Sequence, residues 1–162
     1  MNDYMTKAQL LEMIQASRAD WETLVAGIPS AWMIEPGVAG EWSIKDIVAH
    51  IAWGERESIG VAHAHAVVGS ELWKLSEDER SAAMFAQNRD RQLGDVLAES
   101  RQTFSRFLEA VAALSEEELN DPGRFAQMPA GWRPWRILFD PGHYREHADG
   151  IRAWLDRRAR DS

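Results

Sequence analysis

Apolar residues recur along most of this chain at alternating spacings of three and four, the period of a helix that buries one face. The first such stretch opens at Thr6-Lys7-Ala8-Gln9, a capping box in which a hydroxyl accepts from the third helical amide and a glutamine reaches back. Leu10, Ile14, Ser17, Trp21, Leu24 and Ile28 then form one stripe, with Glu12, Arg18 and Glu22 off it. Gly27 and Pro29 stop the pattern, so the spacing predicts a helix over 8–26. Residues 32–41 are rich in Gly and Pro without strand alternation and read as a connecting loop.

A second helix is predicted over 44–67, with Ser43 as its cap and Asp46 at the capping-box position, where a negative charge also suits the helix dipole. Ile44, Ile47, Val48 and Ile51 mark its inward side, and His50 lies on the edge of that side, in line with Ile47 and Gly54. His63 and His65, two apart, point to different sides of a helix and read as surface or loop-facing residues. Ser76-Glu77-Asp78-Glu79 is another capping box and starts a shorter helix over 77–89. A long one over 93–113 carries Val96, Leu97, Ser100, Phe104, Phe107, Leu108 and Val111 at helical spacing. Ser115-Glu116-Glu117-Glu118 reads as a short capped turn stopped by Asn120-Asp121-Pro122-Gly123. After a loop over 124–133, Pro134 suits a first helical position, and a last helix runs over 134–158 to the basic end Arg157-Arg158-Ala159-Arg160. Within it, Pro141-Gly142 should kink or restart the helix just before His143, with Asp140 as the cap of the restart. Four long helices, with one short helix before the third, make an all-α four-helix bundle in a single domain over 1–162.

Composition narrows the partners. A formal net charge of -8 argues against nucleic acid or an anionic membrane surface. With no cysteine, a disulfide framework, a thiolate metal site and a cysteine nucleophile are all excluded. Met1-Asn2-Asp3-Tyr4-Met5-Thr6 lacks the basic and apolar blocks of a signal peptide, and no run reaches bilayer-spanning length, so a cytoplasmic location is expected. Of the eight tryptophans, Trp21, Trp42, Trp53 and Trp154 fall in segments read as helical, where indoles cover core and rim.

The candidate chemistry lies in His143-Tyr144-Arg145-Glu146-His147. Residues four apart lie one above the other on a helix, so two imidazoles there can supply two bonds to one metal ion. The same spacing also fits a solvated or core-lining pair. Bundles place metals between facing helices, which is where His50 could meet the pair.

Gly40-Glu41-Trp42-Ser43-Ile44-Lys45-Asp46-Ile47-Val48-Ala49-His50 and the closing His143-Tyr144-Arg145-Glu146-His147 with Ile151-Arg152-Ala153-Trp154-Leu155 resemble the DinB/YfiT-like superfamily of four-helix bundles. The resemblance covers nearly the whole chain. It implies a homodimer in which His50, His143 and His147 bind a divalent metal, zinc or nickel first, with waters completing the shell. Three neutral imidazoles with open positions fit a catalytic site better than a structural one, because structural zinc is usually closed by four protein ligands. An ion so held lowers the pKa of a bound water or thiol and polarises a carbonyl. Asp46, one turn before His50, is a candidate to orient it as well as a cap. Glu57, two turns after His50, is a candidate fourth ligand or base as well as a solvated surface carboxylate. Glu146 lies off the histidine face and suits surface ion pairs.

The 36–43 loop, the 73–88 segment and the His143-Tyr144 pair also resemble the ClbS/DfsB branch, which includes a self-resistance cyclopropane hydrolase that acts without a metal. Members of that branch tend to lose the last histidine, whereas His147 is present here and favours the metal-binding branch. The resemblance therefore implies an enzyme acting on a small electrophilic molecule by thiol transfer, isomerisation or hydrolysis, with a low-molecular-weight thiol as a cosubstrate. The alternative it leaves is a metal-independent protein that sequesters or hydrolyses a reactive compound between tryptophan-lined helices.

Overall fold

Each capping box read in the sequence forms, and each starts a helix. The computed structural model describes residues 3–162, and no strand occurs among them. Thr6 accepts from the Gln9 amide at the head of α1 (Lys7–Ala26). The expected loop over 32–41 begins later than its composition suggests, because Pro29 leads into a single turn, α2 (Ser30–Met33). Ser43 and Asp46 cap one another's backbone at the start of α3 (Ile44–Ala64). Ser76 and Glu79 do the same for α4 (Glu77–Asn88), which is followed by α5 (Leu93–Ala113). Ser115 and Glu118 open α6 (Glu116–Asn120), and the chain closes with α7 (Pro134–Leu138) and α8 (Pro141–Arg160).

The long helices α1, α3, α5 and α8 make the bundle, with α3 lying along α5 and α1 along α8. Leu10, Ile14 and Trp21 of α1, Ile44, Ile47 and Ile51 of α3, Phe107 and Val111 of α5, and Ile151 of α8 meet in one core. Burying each aliphatic side chain of this size contributes about 1.5–3 kcal/mol, which is what holds helices of ordinary propensity in register. No helix among the described residues is long and apolar enough to cross a membrane.

Two expectations are corrected here, and a third is met. The second long helix was expected to reach Val67 but stops at Ala64, where His65 turns left-handed at φ 48°. The exit is fixed by backbone pairing across to the loop before α7, from Ala126 to the His65 carbonyl at 2.8 Å and from Val67 to the Ala126 carbonyl at 2.9 Å. The restart expected at Pro141-Gly142 is found: Phe139 is extended at φ -149°, ψ 126°, and Asp140 caps α8 by accepting from the Gly142 amide. The α1 stripe is rotated, so that Ser17 and Leu24 are only half-buried while Arg18 and Val25 lie inside. Arg18 is only 5% exposed, and its charge is shared between the buried Glu55 and the half-exposed Glu22.

Candidate metal centre

The restart of the chain at Asp140-Pro141 sets the direction of α8, and its first turn carries His143 and its second His147 toward α3. The two rings meet His50 at the bundle wall. His50 Nε2 lies 3.0 Å from His143 Nε2, and His147 Nε2 lies 3.2 Å from the same atom. One ligand atom from each residue falls within 4.8 Å of the others, and this is the only such group of histidines and carboxylates among the described residues. An ion bonded at about 2.0–2.1 Å separates two imidazole nitrogens by about 2.9 Å at a right angle and about 3.3 Å at the tetrahedral angle. The two spacings to His143 fall within that span.

Its protonation also fits a cation. His50 Nδ1 sits 3.3 Å from Met84 Sδ of α4, and a thioether only accepts, so Nδ1 carries the hydrogen and Nε2 presents its lone pair to the centre. His143 Nε2 faces two other ring nitrogens at once, and one N–H satisfies only one of them. Burial first, then the charges of His143, His147 and Arg80, pushes the His50 pKa down to about 3. Burial and His143 take His147 to about 4, and burial lowers His143 against the pull of Asp140 and Glu146. Three imidazoles held toward the neutral form thus bring ring nitrogens together, a donor set suited to zinc, nickel or a similar ion.

Aromatic rings hold this arrangement. Trp53 stacks on His50 with centroids 5.9 Å apart and planes 20° apart, and Trp42 meets the same ring edge-on at 5.5 Å. Trp73 in turn covers Trp53 at 5.2 Å. Glu57, a candidate ligand or base on sequence grounds, instead accepts from Trp73 Nε1 and from the Ser70 amide, both at 2.8 Å. Its carboxylate tethers the tryptophan cover. Asp46 likewise accepts from the Ser43 amide and hydroxyl at 2.8 Å each, so it acts as a cap; the ring nitrogen it was a candidate to orient is partnered by Met84. His63 is exposed, and His65 pairs with Glu118 at 2.9 Å.

Two cavities open on the trio. The larger, about 640 Å³, is walled by His50, His143, Trp53, Trp73, Phe107 and Phe139 among others. The smaller, about 280 Å³, is reached by His50 and His147, and Arg80 borders both. Sequence patterns did not single out Met84, Arg80, Trp73 or Glu55 for this site. Glu55 had a legible signal: it continues the Ile44, Val48, Ile51 face by one more turn, and a carboxylate on an inward stripe calls for a partner.

A model of the DinB superfamily matches residues 13–149. A protein from Streptococcus pneumoniae has a crystal structure that superposes with a TM-score of 0.78 at 14% identity, over 96% of this chain and 93% of that one. An uncharacterised protein from Escherichia coli UTI89 gives 0.75 at 15%, over 95% of each chain. A third, from Clostridium difficile 630, gives 0.78 at 13%, over 96% of this chain and 98% of that one. No curated protein matches the sequence. At these identities the solved structures support the fold alone.

Proposed function

The chain belongs to the DinB superfamily, and from that premise we propose that it is a divalent-metal-dependent enzyme in which His50, His143 and His147 hold the ion, zinc or nickel first. The observation that carries this reading is the meeting of three imidazoles, one ring nitrogen of each lying within 4.8 Å of the others. Bound there, the ion supplies Lewis acidity toward an oxygen or sulfur atom of a reactant. The protein's own part is to position and to dry the site. Met84 fixes the His50 tautomer, and Trp53 under Trp73 screens the ring from water. The apolar lining of the larger cavity suits a small, mostly hydrophobic electrophile. Arg80, bordering both cavities, offers a cation to an anionic group of a second reactant, in keeping with a low-molecular-weight thiol as cosubstrate. The reaction class is thiol transfer, isomerisation or hydrolysis of that electrophile, carried out by a cytoplasmic homodimer of single-domain chains that uses neither nucleic acid nor membrane.

Elemental analysis of purified, tag-free protein tests the reading. It predicts close to one ion per chain, lost on His143→Ala or His147→Ala, and turnover of a generic electrophile with small thiols or water that follows metal content. Equal binding or turnover by metal-free protein would overturn it in favour of a sequestering protein.

A further inference from the structure

Further along α3 from His50, the bundle interior holds one polar side chain from each long helix: Arg18 of α1, Glu55 of α3, Ser100 of α5 and Tyr144 of α8. All four are buried, Glu55 to 6% exposure. Arg18 reaches Glu55 Oε1 at 3.4 Å, the Tyr144 hydroxyl at 3.3 Å and Ser100 Oγ at 3.0 Å. Its guanidinium also lies 4.7 Å from the centre of the Phe104 ring. The Tyr144 hydroxyl donates to Glu55 Oε1.

The two donors that reach Glu55, from Arg18 and from Tyr144, both go to Oε1. Glu55 Oε2 is buried and has no partner, and neither does Trp53 Nε1. Both residues line the larger cavity that also contains His50 and His143. A bare buried acceptor is costly; Asp46 Oδ1 is also unpartnered, but Asp46 lines neither cavity, whereas Glu55 lines the larger one. The local charge points the same way. Arg18 pairs more closely with Glu22, at 2.6 Å, than with Glu55, so one cation is shared between two carboxylates and the buried one is the less compensated. Burial, with Glu22 adding to it and Tyr144, Arg18 and Arg56 opposing, raises the Glu55 pKa to about 7, where a carboxyl exchanges protons readily near neutral pH.

We infer that Glu55 is the proton-transferring group of this cavity, acting through Oε2 on a hydroxyl, enol or thiol of a mainly apolar small molecule, while Trp53 Nε1 donates to an acceptor on the same molecule. The inference rests on the metal-enzyme reading only for the reaction that the proton transfer serves. In the step itself, the X–H bond of the bound molecule breaks, its electron pair stays on X, and the proton forms an O–H bond at Oε2. The reverse transfer to the product regenerates the carboxylate. Tyr144 and Arg18 are positioning residues, holding Oε1 so that Oε2 is left for the ligand. Because Tyr144 follows His143 in α8, one turn of helix sets both groups on the same cavity.

The test uses the whole protein with chelator present, so its outcome does not depend on a metal centre. A small aryl epoxide is supplied as the probe, and adducts are mapped by peptide mass spectrometry, with a base-labile ester distinguishing carboxylate from imidazole products. The expected result is an ester at Glu55 ahead of exposed carboxylates such as Glu12 and Asp78, absent in Glu55→Gln. In metal-loaded protein, Glu55→Gln should keep its metal content and folded spectrum and lose kcat by about 100-fold or more with KM little changed. Esters confined to exposed carboxylates, or a Glu55→Gln variant with wild-type kcat, would overturn the inference.

Discussion

Replacing Glu55 by glutamine should change how the stability of the fold depends on pH, by an amount that follows from its surroundings. Its carboxyl is raised from an ordinary value of 4.5 to about 7, first by burial. Between those two values the folded chain keeps a proton that the unfolded chain has released. The stabilisation is therefore fully present below pH 4.5 and is lost as pH rises through about 7. At about 1.4 kcal/mol per pH unit, that gap corresponds to roughly 3 kcal/mol. Glutamine is isosteric, its carbonyl still accepts from Tyr144, and it does not titrate. The groups facing residue 55, namely Arg18, Glu22, Arg56 and Tyr144, are the same in both proteins. His50, His143 and His147 are depressed and act with the opposite sign, adding stability as pH rises toward 6.5, but they too are common to both and cancel in the difference. Urea denaturation of chelator-treated wild type and Glu55→Gln at pH 5, 6, 7 and 8 should show the variant gaining about 2.5 kcal/mol relative to wild type across the series, most of the full gap. Parallel stability curves would refute the reasoning, since they would mean that Glu55 has the same proton affinity folded and unfolded.

Arg18→Ala should cost about 3–5 kcal/mol in denaturant unfolding because it leaves a buried carboxylate without its cation, whereas Arg18→Met with Glu55→Leu should recover most of that loss; additive costs would contradict a coupled pair. Met84→Leu removes the acceptor for His50 Nδ1 and should weaken zinc binding about tenfold, at the low end for an outer partner of a ligand, measured by competition with a chelating dye. At Gly69 an added Cβ would stand 2.2 Å from Trp73 Cδ1, so Gly69→Ala should lift Trp73 off Trp53 and raise the accessibility of their fluorescence to acrylamide, with little change in urea midpoint.

The sequence made the bundle legible through its ends more than through its faces. Thr6, Ser43, Ser76 and Ser115 each cap where the hydroxyl and its partner three residues on predicted, because capping is chemistry local to four residues. His50, His143 and His147 could be read for a related reason, since helix geometry fixes the spacing of the last two and the cap at Ser43 fixes the register of the first. The break at Phe139 was visible as Pro141-Gly142, but its form, extended backbone between two helices, depends on tertiary packing. What escaped the pattern depends on contacts between distant segments. Arg18 looked like a surface residue because a charged side chain off an apolar stripe usually is one, and its burial follows only once Glu55, Ser100 and Tyr144 arrive from three other helices. Met84 and Trp73 come from the segment between α3 and α5, and nothing in their own sequence says that they close over His50 and Trp53.

X-ray absorption of the zinc- or nickel-loaded protein tests the metal centre most directly. The three-histidine account predicts one ion per chain with about three imidazole nitrogens near 2.0–2.1 Å, recognisable by the outer-shell scattering of the rings and reduced on His147→Ala. An all-oxygen shell at full loading, or a spectrum unchanged in His143→Ala and His147→Ala, would contradict it.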